Sequence, residues 1–187
     1  MLIARVKKET NIVEYVLYMY QIEDIIRSFQ FDFKAIERSI ISQYDQKDEV
    51  KLEIKQWYAS LIQQMKEQGI EKDGHLAFLN ETVKGLQVLH KSLLTAFQDD
   101  EYKKLYDAAK PALEDLMRKS EDKLKGDEMA AALNGLYGLL VLRLKKQKIA
   151  AETEQAMGDI SKLMARLAQQ YNEMKMGKLR FPDEQNN

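Results

Sequence analysis

Asn11-Ile-Val-Glu-Tyr-Val-Leu-Tyr-Met-Tyr-Gln-Ile-Glu-Asp-Ile-Ile-Arg27 is the stretch that decides the fold class of this chain. Asn11 can cap a helix with its side chain, and Glu14 stands three residues on, where a carboxylate can cap in return. From here a helix is predicted to about Phe29. On a helical wheel Ile12, Tyr15, Tyr18, Met19, Ile22, Ile25, Ile26 and Phe29 form one broad apolar arc, and Val13, Leu17 and Tyr20 form a second on the other side. A helix apolar on two sides must be covered on two sides. It is therefore a central element, and what surrounds it is a bundle.

Outward from this helix the same period continues. Asp32 can cap a helix reaching about Tyr44, with Ile36, Ile40, Ile41 and Tyr44 on one face. Asp48 to Gln68 carries a stripe at Val50, Ile54, Trp57, Leu61 and Met65, and closes on Gly69 followed by Ile70, the order a Schellman ending requires. From His75 to Gln98 the residues Leu76, Leu79, Val83, Leu86, His90, Leu93 and Phe97 alternate by three and four, a narrow seam for one partner helix. Asp99 or Asp100 caps the next helix, whose stripe runs from Tyr102 to Met117 in phase across Pro111, so a kink is expected there and not a break. Gly126 and Asp127 stop it and start another that reaches about Lys148.

The last helix, about Thr153 to Lys175, repeats the narrow seam through Met157, Ile160, Met164, Leu167, Tyr171 and Met174. A break is expected between Gln147 and Glu152, with one continuous helix as the alternative because no proline enforces it. No stretch alternates at period two over a strand's length, and no repeat has solenoid spacing. The expected fold is all-α: a single-domain bundle of about seven helices with no sheet, over residues 1–176, followed by a mobile C-terminal tail at 177–187.

Composition narrows the function. The 187 residues are 45% hydrophobic and 32% charged with eight glycines and two prolines, which suits a globular protein with charged helix faces and not a disordered chain. Twenty-nine basic against thirty acidic residues, interspersed throughout, lack the basic excess that phosphate binding needs, so no nucleic-acid partner is expected. Without cysteine there are no disulfides, thiolate metal sites or thiol nucleophiles, which fits a reducing compartment; with no signal-like apolar segment at Met1 to Glu9, the cytoplasm is the expected location. The longest apolar run, Met129 to Leu142, falls short of the ~20 residues of a spanning helix and reads as a core helix, so no membrane partner is expected.

Chemical signatures are wanting. There is no Gly-rich phosphate loop, no G-x-S-x-G elbow and no H-E-x-x-H, and neither His75 nor His90 follows a glutamate by three as the ligands of a di-iron bundle do. No metal, no cofactor and no catalytic residue is assigned. His90 lies on an apolar seam, where a hydrogen-bonded core histidine is favoured over a pH-sensitive or ligand-binding imidazole, while His75 after Gly74 at a helix start should be solvated.

The unusual feature is polar. Glu14, Gln21 and Ser28 recur at intervals of seven between the two apolar arcs of the N-terminal helix; Glu23 and Arg27 are spaced to pair at i,i+4, and Asp24 shares a row with Val13, Leu17 and Tyr20. Glu14, Gln21, Glu23, Asp24 and Arg27 are thus the candidate ligand- or partner-binding residues. The plainer reading is an internal ion-pair network that fixes helix register.

The Asn11–Arg27 stretch also resembles the signature of an uncharacterised bacterial family, domain of unknown function 4924, whose members are all-helical chains of about this length. The resemblance covers nearly the whole chain, with the N-terminal helix its most specific part; Tyr20 stands where the pattern leads one to expect Trp. It implies the helical fold and supplies no activity. The expected function is a non-catalytic helical interaction or scaffold protein, with either another protein or a second copy of the chain as its partner, the two narrow seams being free to pack between chains or within one. The alternative is a small-molecule binding protein with a polar site on the N-terminal helix, and an enzyme using paired carboxylates such as Glu14 and Asp24 is the least expected.

Overall fold

Asn11 separates two helices where the sequence led us to expect it to begin the first. In the computed structural model, which describes residues 2–120 and 126–179, α1 (Leu2–Thr10) comes before it and α2 (Ile12–Ser28) after it. The Asn11 side chain caps as expected, accepting from the Glu14 backbone N–H at 3.1 Å. The return bond differs because α1 uses the atom it would need: the Lys7 carbonyl takes the Asn11 backbone N–H at 2.8 Å. Glu14 accepts instead from the Asn11 side-chain amide at 3.3 Å and from Lys7 Nζ at 2.7 Å.

The remaining boundaries follow local chemistry. Asp32 caps α3 (Phe33–Ser39), which stops short of Tyr44 and passes into a 3-10 turn at Ile41–Gln43. The next helix, α4 (Asp48–Glu67), closes in the expected Schellman motif: Gly69 has φ +66°, the Ile70 N–H reaches the Met65 carbonyl at 3.0 Å, and the Gly69 N–H reaches that of Lys66 at 3.1 Å. Then come α5 (Ala77–Thr95) and α6 (Asp100–Lys119), the latter capped by Asp99 and, as expected, not broken at Pro111. Asp127 caps α7 (Glu128–Leu144), and α8 (Ala151–Lys175) follows a true break, where Lys146 takes φ +53° and the Gln147 N–H bonds the Leu142 carbonyl at 3.0 Å. The described residues hold eight helices, one more than the seven expected, and no strand. Of the stretch 177–187 read as a tail, residues 180–187 lie outside the described residues, and Gly177 ends α8 with φ +66°.

Helix α2 lies against α1, α7 and α8, while α5, α6, α7 and α8 pack on one another. The 3-10 turn, α3 and α4 pack together. A single apolar cluster runs through both groups, from Ile12, Val16, Met19 and Ile26 on α2 to Tyr58 and Met65 on α4 and Leu163 on α8. Both narrow seams are spent inside it, apart from the end of the α8 seam, where Met174 is 42% exposed. Leu79, Val83, Leu86 and Leu93 on α5, and Met157, Ile160, Met164 and Leu167 on α8, are buried within the chain. Among the described residues no helix is long and apolar enough to cross a membrane.

Candidate functional site

Glu23 sits in the middle of the buried face of α2, among Ile12, Val16, Met19 and Ile26, with no exposed surface. A buried carboxylate costs several kcal/mol unless its oxygens are hydrogen-bonded. The segment before α5 supplies the bonds: the Leu76 backbone N–H donates to Oε1 at 2.8 Å, and Nδ1 of His75 lies 2.6 Å from Oε2. An ionised carboxylate only accepts, so the ring hydrogen sits on Nδ1 and the Nε2 edge takes no part in the contact. Tyr20, one turn earlier on α2, stacks on the imidazole with centroids 3.6 Å apart. His75, expected to be solvated, is 26% exposed and held on two sides.

Arg27 pairs with Asp24 at 3.1 Å, not with Glu23 as its spacing suggested, because Glu23 points inward to His75. Its other terminal nitrogen donates to the Ile70 carbonyl at 3.2 Å and to the carbonyl of Gly74, so the guanidinium clamps the 70–74 segment onto α2. Asp24 accepts from the Tyr137 hydroxyl of α7 at 2.6 Å. Burial, reinforced by that bond to Asp24, raises the Tyr137 pKa well above its ordinary value and keeps the donor protonated. Tyr137 also meets Tyr20 edge-on at 5.8 Å.

Of the five sequence candidates, then, Glu23, Asp24 and Arg27 come together with His75, Tyr20 and Tyr137. Glu14 is exposed at the other end of α2, paired with Lys7, and Gln21 is half-buried on a part of α2 that none of these bonds reaches. His75 and Tyr137 lie 52 and 113 residues from their partners, separations at which no sequence period reports a contact.

His90 forms a second cluster. It is buried, with Nδ1 2.8 Å from the Tyr102 hydroxyl and Nε2 2.9 Å from Glu128 Oε2; Tyr106 donates to the other Glu128 oxygen at 2.9 Å. In the neutral ring Nε2–H donates to the carboxylate and Nδ1 accepts from Tyr102, so both nitrogens are satisfied. This is the hydrogen-bonded core histidine favoured from sequence. The His90 bond holds the Glu128 carboxyl below its usual range against the opposing pull of burial, with Tyr106 adding to it, while burial and the Glu128 contact push the Tyr106 hydroxyl up to about 12. Among the described residues no group of three His, Cys, Asp or Glu is placed to hold a metal ion.

A groove of about 370 Å³ lies between α2, α7 and α8. Val13, Leu17, Leu136 and Leu140 line it together with the exposed Glu14, Arg143 and Glu154. No curated protein and no solved structure matches the chain. A family model does, over residues 1–178: the chain belongs to the family described as Domain of unknown function (DUF4924).

Proposed function

We propose that this chain is a non-catalytic helical interaction or scaffold protein of the cytoplasm that associates with a second copy of itself through the α2–α7–α8 groove. The observation that carries the reading is the state of α7. Its stretch Leu136-Tyr-Gly-Leu-Leu-Val141 is apolar on nearly every side, yet Leu139 alone of its residues is buried. A helix apolar all round is normally covered all round. Leu136 and Leu140, only half-buried, face the groove beside Leu17, and a matching ridge from a second chain would cover them.

The polar cluster on α2 supports the same side of the choice. Glu23, Asp24 and Arg27 are committed to backbone and side-chain partners of this chain, which leaves little for a small ligand to bind. Light scattering on the purified chain at tens of micromolar tests the proposal. A dimer that Leu140→Asp returns to a monomer is the expected result, and a strict monomer removes the reading.

A further inference from the structure

Leu142-Arg-Leu-Lys-Lys-Gln-Lys148, where α7 ends and the chain turns toward α8, is exposed at every position. Cations in the last turn of a helix are ordinary, since they offset the partial negative charge of its free carbonyls. That accounts for Arg143 and Lys145. It does not account for Leu142 and Leu144, 41% and 64% exposed among them, nor for Lys146 and Lys148, which lie beyond the helix end. Glu154 is 3.9 Å from Arg143 and, with Glu152, provides the acidic groups at the start of α8, two against four cations.

We infer that this corner is a contact for an anionic lipid surface, with Leu144 entering the headgroup layer and Lys145, Lys146 and Lys148 at the level of the lipid phosphates. The charge selects an anionic partner, and the shape selects a bilayer. A peptide needs a cleft with anchor pockets, whereas a run of seven exposed residues is convex and meets a flat surface, where apolar side chains gain by burial and long basic ones keep their heads in water. A single weak contact of this kind gives reversible attachment. The expectation of no membrane partner rested on the lack of a spanning segment, and a surface contact does not require one.

The test is co-sedimentation of the full chain with phosphatidylcholine vesicles, with and without phosphatidylglycerol, at low and high salt. Binding to the acidic vesicles alone is expected, weakening with salt and falling about fivefold for each cation lost in Lys145→Gln and Lys146→Gln. Leu144→Ser should weaken it too, and circular dichroism should show all three variants folded, since each side chain is exposed. The inference is overturned by no binding to acidic vesicles, by equal binding to neutral ones, or by variants that bind like the parent. It is also overturned if Leu144→Ser changes the particle mass in light scattering, because the corner would then be a protein contact; loss of the proposed dimer in Leu140→Asp with vesicle binding intact would leave it standing.

Discussion

Replacing Glu23 by Leu would leave the Leu76 N–H and the His75 ring N–H without an acceptor inside the protein, and an unpaired buried donor costs more than a hydrogen bond gains. We expect Glu23→Leu to lower stability by about 2–3 kcal/mol in urea titration, and Asp24→Asn, at a half-exposed carboxylate, by less than about 1 kcal/mol. The wheel held the clue to this difference. Glu23 falls between the two apolar arcs read on this helix, and once Val16 is counted with them the arcs are one buried face with Glu23 inside it. The i,i+4 rule for Glu23 and Arg27 describes solvent-exposed helix surfaces, so it selected the wrong partner. Glu128 offers a pH test of a similar kind. Its folded pKa is depressed, chiefly by the His90 bond, so its contribution is present above the unfolded glutamate value of about 4.3 and is lost as pH falls through the lower folded value. The stability difference between the parent and Glu128→Gln, read from urea midpoints at stepped pH, should therefore shrink between neutral pH and acid. A constant difference would show that the carboxylate is not held by its partners.

At the scale of the helix, glycines within α7 separate propensity from packing. A Cβ on Gly138 meets nothing within 4 Å, whereas one on Gly135 would lie 2.6 Å from Cδ1 of Leu116 on α6. Gly138→Ala should raise stability by about 0.5–1 kcal/mol, the gain expected at an open helix position, and Gly135→Ala should lose part or all of that gain as Leu116 moves aside; paired thermal melts would check both. The sequence announced helix ends wherever a side chain or glycine makes them. Asp32, Asp99 and Asp127 each cap where they were expected to, and Gly69 takes its left-handed turn. It placed them loosely or not at all where the backbone alone makes the end. α1 closes onto Asn11 with a main-chain bond from the Asn11 N–H to the Lys7 carbonyl, and α7 closes on Lys146 at φ +53°, a conformation for which lysine carries no signal.

Across the whole molecule, period and amphipathicity made the all-α class legible, because each helix had to bury its stripe. They did not say against what. The seams on α5 and α8 could have joined two chains, and only the assembled core shows them, up to Leu167 on α8, filled from within one. The same core decides how the molecule should come apart. In backbone proximity the α3–α4 segment packs mainly on itself, while α5 to α8 pack with one another and with α2. The apolar cluster nevertheless runs without interruption from Tyr58 and Met65 of α4 to Met19 of α2 and Leu163 of α8, and Arg27 clamps the segment joining α4 to α5. Continuity of the core argues for one cooperative transition. Trp57, the single tryptophan, stands edge-on to Tyr58 at 5.2 Å and so reports on α4, whereas far-ultraviolet circular dichroism reports on all the helices. Their urea transitions are expected to coincide in midpoint and slope. If the tryptophan signal changed first, α3 and α4 would be a separately melting layer, and the buried contacts joining them to α2 would be weaker than their burial implies.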